Sequence, residues 1–413
     1  MRRRDLLRMA LLGAPALRAA CPDDYRALVC VMMAGGNDGN NTLVPIAMAE
    51  GNPLISYSQY ARVRGGLAVP LESVVRIHAG NGDQFGLHGS LKELGEMYNQ
   101  RKNVAVLANV GPLAEPLTRA EYRGGKGMVP AGLYSHGGQQ AEWQAMAGAA
   151  FGAVDGCEAS EFPLPVWLGG GSGAALRGGG ESPRMTGVTN LLRVDDGLAM
   201  VRGANTFSEA GLAQSRLLEG ALDGVAPLTT AFPNTALGRQ LGRAARMIQA
   251  RGALGVRRQI FLAAIGGFDT HERQLTDQAA ALAQLSGAVS AFYQATVEMG
   301  VSDRVVTFTA SEFGRTLQAC GGGTLGSDHG WGSHHLIVGD AVQGGEVYGK
   351  YPAMALDGPD DATGRGVWIP TMATDQYGAA LGRWFGISEE GLAEVFPNLA
   401  SFAGGVPAFL GSG

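Results

Sequence analysis

RQIFLAAIGGFDTH, residues 258–271, is the stretch whose reading decides the fold. Its apolar run lacks strict alternation, which is how a strand buried on both faces reads. A glycine pair then breaks the run and delivers an acid and an imidazole two residues apart, Asp269 and His271. Four other segments follow the same plan: RALVCVMMAGGNDG (26–39), NVAVLANVG (103–111), DRVVTFTASEFGR (303–315) and HHLIVGDAV (334–342). Helix-period stretches lie between them at 90–101, 236–252 and 276–300, with Ser90 and Thr276 as expected N-caps, and 379–402 reads as closing helices. Strands alternating with helices predict an α/β fold with a mostly parallel central sheet flanked by helices on both faces. Residues from about 151 to 230 are irregular and rich in glycine, and read as an insertion or cap within one domain spanning 22–413. No internal repeat is evident.

The chain has 413 residues, 46% apolar and 17% charged, which is enough to build a sizeable core. A net charge of -5 gives no electrostatic basis for a nucleic-acid partner or an anionic membrane. The 65 glycines cluster between apolar runs and read as tight turns. No integral membrane span is expected, because no run approaches the ~18 apolar residues that one requires. Cys21, Cys30, Cys157 and Cys320 lack paired short spacings, which excludes a zinc ribbon or a dense disulfide framework. Cys30 reads as a buried small hydrophobe, and a Cys157–Cys320 bridge stays open. Residues 1–20, MRRRDLLRMALLGAPALRAA, carry a twin arginine, Arg3-Arg4, and then a short apolar stretch. They read as an export signal, which predicts a periplasmic or secreted protein that meets the export machinery as a partner. The bland alternative is a frayed basic start, and Cys21 leaves a lipoprotein site open.

Ligands of open α/β sheets gather at the carboxyl ends of the strands. Asp38, Asp269, His271 and Glu312 all follow predicted strands, so parallel strands would bring them to one rim. Asp269 and His271 form an oxygen/nitrogen pair suited to a divalent metal, against a reading as a turn cap and a surface histidine. Asp38 in GGNDGNNT is either a ligand or a capping acid. In SEFGRT, Glu312 offers a carboxylate and Arg315 a fork for an oxyanion, against a plain surface pair. SDHGWGSHH offers His329 first, then Asp328, then His335, because a strand would send His334 and His335 to opposite faces. Ser135 in LYSHGGQQAEWQ precedes an expected helix start, where it is a metal-activated nucleophile or simply an N-cap. His136 and His88 read as capping or supporting groups, and His78 as a surface residue. Imidazole with carboxylate suits Zn or Mn better than Ca.

VMMAGGNDGNNTLVP, GLHGSLKEL, LYSHGGQQAEWQ, GGFDTHERQ, SEFGRT and SDHGWGSHHLIVGDAVQGGEVYG, in that order, resemble the exported bacterial family known as domain of unknown function 1501. That family is similar, more distantly, to the alkaline phosphatase and sulfatase superfamily. The resemblance implies an alkaline-phosphatase-like core and a divalent metal at Asp38, Asp269, His271, Glu312 and His329; Asp328 is added by the residue reading alone. It also implies a Ser135 nucleophile attacking a small anionic ester; the Arg315 fork, read from the residues themselves, would steady the oxygens. Glu312-Phe313 stands where the superfamily has an Asp-His pair, which removes a nitrogen ligand and reduces a two-metal site to one metal or none. The Cys-x-Pro-x-Arg sequence of sulfatases is absent, which disfavours that branch. The expected activity is a metal-dependent hydrolase of phosphate-type esters; the alternative is a non-catalytic secreted binding or assembly protein on the same scaffold.

Overall fold

A computed structural model describes residues 24–80, 82, 84–139, 165–168, 192–195, 198–201, 209–320 and 323–411. The leader, Cys21 and Cys157 lie outside the described residues. The described strands, in chain order, are β1 (Arg26–Met33), β2 (Leu43–Pro45), β3 (Val75–Arg76), β4 (Phe85–Leu87), β5 (Val104–Gly111), β6 (Pro165–Trp167), β7 (Leu192–Asp195), β8 (Leu198–Val201), β9 (Arg258–Ile265), β10 (Val305–Ser311), β11 (Arg315–Cys320), β12 (Gly326–His329), β13 (Ser333–Val338), β14 (Val347–Gly349) and β15 (Met372–Ala373).

One large sheet runs in the order β14-β5-β13-β10-β1-β9-β6-β7-β8, with β15 also on β5. β1 lies between β9 and β10 and is parallel to both. β13 is antiparallel to β10 and to β5, and β8 is antiparallel to β7; the other pairings are parallel. The sheet is therefore mostly parallel, and all five strands read from the sequence are in it. β2, β4 and β3 form a small separate sheet, and β11 and β12 form a hairpin. Within the stretch expected as an insertion, β6, β7 and β8 extend the large sheet past β9.

The unalternating apolar runs have a direct cause: both faces of the central strands are covered. On β1, Ala27, Val29, Val31 and Met33 enter one core with Leu241, Ile248, Leu282 and Phe292 of the helices Ala236–Gln249 and Gln274–Glu298. Leu28, Cys30 and Met32 point the other way, to Leu381, Trp384 and Phe385 of the helix Thr374–Phe385. Cys30 is a buried apolar neighbour, as read, and burial pushes its thiol up to about 12. Thr235 caps the helix Ala236–Gln249 through Gly238 N, so that start was legible. Two other starts are corrected. The helix Lys92–Glu96 begins after Leu91 rather than Ser90, and Gln274–Glu298 begins after Arg273 in a left-handed conformation rather than at Thr276. Neither Leu91 nor Arg273 makes a side-chain cap bond, so tertiary packing sets both starts. No helix among the described residues is long and apolar enough to cross a membrane.

Candidate metal centre

Strand direction builds the site. Met33 pairs with Ile265 on one side and Ser311 on the other, so β1, β9 and β10 end level at one rim. β13 runs the opposite way and starts at that rim, which brings the preceding residues 326–332 there. Ser333 pairs with Val110, so β5 also ends there, and the chain after it returns as Tyr134, Ser135 and His136. Gly35 and Gly36 turn the chain off β1 with φ of 112° and 86°. A Cβ on Gly35 would lie 2.2 Å from Asp269 N, so glycine is what lets the two strand ends meet.

His136, Asp269 and His329 each offer one donor atom, and the three atoms lie within 4.8 Å of one another. His136 donates from Nδ1 to Glu312, a buried carboxylate, and His329 donates from Nδ1 to the Tyr134 carbonyl at 3.1 Å. Carboxylate and carbonyl oxygens only accept, so both imidazoles carry their proton on the outer nitrogen. In the neutral form of each ring the Nε2 lone pair faces Asp269, at 3.8 Å from Oδ2 for His136 and 3.6 Å from Oδ1 for His329. Donors around a tetrahedral ion with ~2.1 Å bonds are roughly 3.4 Å apart, so the spacing fits an ion with little adjustment. Phe313 stacks on His329 at 4.3 Å between centroids and fixes its plane. The Asp269 side chain is half exposed, so the centre is open on one side.

The electrostatics pull the two imidazoles in opposite directions. The hydrogen bond to Glu312 raises the pKa of His136 against the opposing effect of burial. Burial and the nearby Arg315 charge lower that of His329. Burial alone would raise the Asp269 carboxyl, but the Arg315 guanidinium bonded to it outweighs that and holds it low. His329 and Asp269 are thus biased toward their ligating forms, whereas Glu312 and Asp269 favour the protonated form of His136, which an ion must displace.

A second group, His271, Cys320 and Asp328, adjoins the first. His271 Nε2 is 3.1 Å from Asp269 Oδ1 and 3.2 Å from His329 Nε2. Its Nδ1 is 3.3 Å from Asp328 Oδ1. Arg365 binds the other Asp328 oxygen at 2.7 Å; burial would raise that carboxyl, and Arg365 with Cys320 keeps it low.

Of the residues read from the sequence, Asp269, His271, Asp328 and His329 come together here. Asp38 does not join them. It caps Gly39–Thr42, accepts from Asn40 N at 3.1 Å and Asn40 Nδ2 at 2.9 Å, and is also bonded by Gln274 and a fully buried Arg64. Protein donors fill its coordination, so the capping reading describes it. Burial pushes its carboxyl up while Arg64 opposes the rise. Glu312 belongs to neither group and instead orients His136. Arg315 is buried and its fork is engaged: Nε and Nη2 bind the Gly36 and Gly35 carbonyls, Nη1 binds Ser327 O at 2.9 Å, and Nη2 also binds Asp269. It ties four segments of the rim together and presents little to a substrate. Ser135 is exposed, beside His136 in the chain, and its Oγ accepts from Gly138 N at 3.3 Å, which is the cap contact.

His334 and His335 are buried on opposite faces of β13, stacked on Tyr351 and Tyr377. Both are core histidines, and burial pushes each down to about 3. His88 Nδ1 accepts from Ser90 N at 3.1 Å, a capping role. His136, read as a capping or supporting group, and Cys320, read only as a possible disulfide partner, are the two donors of these groups that the sequence did not offer as ligands. A hairpin around the CGGGTLG turn was the available signal for Cys320, because it brings Cys320 opposite Gly326.

Solved structures with similar folds include a protein of the alkaline phosphatase superfamily from Vibrio parahaemolyticus, at 10% identity over 82% of this chain and 69% of that one, with a TM-score of 0.30. A phosphonate monoester hydrolase of Agrobacterium radiobacter matches at 9% identity over 84% and 74%, with a TM-score of 0.31. A sulfatase from Pseudoalteromonas sp. matches at 8% over 84% and 68%, with a TM-score of 0.33. At such scores the neighbours' chemistry does not transfer to this chain. No curated protein matches the sequence. The family resemblance carried by the motifs is shown over residues 213–370, which match the family described as protein of unknown function (DUF1501).

Proposed function

We propose that this chain is an exported metal-dependent hydrolase of phosphate-type or related anionic esters, with its metal held by His136 Nε2, Asp269 and His329 Nε2. One observation carries the reading: Glu312 and the Tyr134 carbonyl hold the outer nitrogens, so two lone pairs and a carboxylate are aimed at one point. Three protein donors with an open side are the pattern of catalytic rather than structural sites. A divalent ion there, Zn or Mn before Ca, would supply Lewis acidity to an ester oxygen. The chain's own residues supply the rest. Arg315 fixes Asp269, Phe313 fixes His329, and Ser135 offers a hydroxyl next to His136 as the nucleophile. Arg365, whose side chain is 43% exposed beside Asp328, supports an anionic substrate. Export rests on the leader alone.

The test is ion content and turnover of the purified mature chain against a panel of phosphate mono- and diesters, phosphonates and sulfates. Bound metal with turnover, both lost in His136→Ala and His329→Ala, is expected. A metal-free wild type that leaves the panel untouched contradicts the proposal. The exposed Ser135 hydroxyl, engaged only as a cap among the described residues, favours a second reading: a metal-holding scaffold without hydrolysis. Full metal content with no turnover selects that reading.

A further inference from the structure

We infer that His271 Nδ1, Cys320 Sγ and Asp328 form a second, softer metal-ion site beside the first, suited to Zn. Cys320 and Asp328 come from the two arms of the β11–β12 hairpin, where Cys320 pairs with Gly326 and Ala319 with Ser327. Donor atoms of all three residues lie within 4.8 Å of one another.

The site is built, because the hairpin is locked onto the segment that carries His271. Ser327 N binds Thr270 O at 3.1 Å, and Gln274 N binds Leu325 O at 3.1 Å. A Cβ on Gly326 would lie 2.1 Å from the His271 carbonyl carbon, so glycine is required for β12 to pack this closely. Arg365, itself bonded to Gln318 Oε1 at 3.2 Å, pins one Asp328 oxygen and leaves the other toward His271. Cys320 Sγ sits 3.7 Å from the His271 carbonyl oxygen.

One tautomer of His271 makes the donor set available. With its proton on Nε2, which lies 3.1 Å from Asp269 Oδ1, His271 turns the Nδ1 lone pair toward Asp328 and Cys320; the other tautomer would instead donate from Nδ1 to Asp328 at 3.3 Å. On binding, the Cys320 thiol loses its proton to solvent and joins the Asp328 carboxylate as an anionic donor. The two negative charges balance a divalent ion. Thiolate with imidazole and carboxylate favours Zn over Mg or Ca, and the half-exposed His271 and Asp328 side chains leave room for water as a further ligand.

Cobalt(II) titration of the metal-free full chain tests the site, because thiolate ligation gives a near-ultraviolet sulfur-to-cobalt charge-transfer band. The wild type should show the band and bind one ion more than Cys320→Ser, which should lack the band. Asp328→Asn should weaken cobalt binding at this site by 10-fold or more. His329→Ala, which removes a donor of the first centre, should retain the band. No band in the wild type, or a band that survives in Cys320→Ser, overturns the inference. Loss of turnover in His329→Ala with the band intact would bear on the first centre alone.

Discussion

A carboxylate at a strand end is a ligand, a holder of a ligand or a cap, and what decides between these is the nearest partner. Asp269 is a candidate ligand because Arg315 binds it from behind and leaves its front open. Asp38, in an equally suggestive turn, is claimed by Arg64, which is 26 residues away in sequence and therefore invisible to local reading. Removing one member of such a buried pair strands the other charge, so Arg64→Met should cost about 3–5 kcal/mol in urea unfolding. Arg64→Met combined with Asp38→Asn should recover much of that, and a single-variant loss under about 1 kcal/mol contradicts the pairing. Glu312 holds the outer nitrogen of His136, and loss of such partners weakens metal affinity about 10–100-fold. Glu312→Gln is expected to fall in that range in a zinc competition titration; unchanged affinity would remove His136 from the centre. The sequence displayed the right residue types at the right strand ends but not their order of contact, which is why His136 and Glu312 exchange their expected roles.

The strands were legible because burial on both faces leaves an unbroken apolar run, as in β1 and β9. The parallel course of β1, β9 and β10 followed from the alternation with helices, but the direction of β13 was not legible. Nothing in HHLIVGDAV states that β13 runs against β10, yet that reversal is what carries Asp328 and His329 to the ligand rim. Helix starts were legible only where a side chain caps them, as Thr235 does, and not at Leu91 or Arg273. The β11–β12 hairpin depends on close backbone approach at Gly326. Gly326→Ala should destabilise the chain by about 1–3 kcal/mol through overpacking against His271, read as a lower urea midpoint at unchanged slope. An unchanged midpoint would show that the hairpin can move away from His271.

Across the whole molecule, the large sheet separates two apolar cores, and each receives one of the tandem histidines. His334 and His335 are held near pKa 3 by burial, well below the ordinary value of 6.5. The unfolded chain therefore binds more protons than the folded one between about pH 6.5 and pH 3. Stability is full above that window and falls as the pH drops through it, by a few kcal/mol in order of magnitude. Thermal unfolding should show a steep fall in Tm from pH 7 to pH 4, and His335→Phe, which keeps a ring against Tyr377, should flatten it. An equally steep fall in that variant would place the acid sensitivity elsewhere. The strand period did indicate that these two residues face apart. Only packing shows that both faces are dry, which makes them core histidines rather than ligands.

The most direct measurement is anomalous X-ray scattering at the zinc edge from crystals of the zinc-loaded protein. The account predicts a peak about 2.0–2.2 Å from His136 Nε2, Asp269 and His329 Nε2 together. Zinc-loaded crystals with no anomalous density among those three side chains would contradict it.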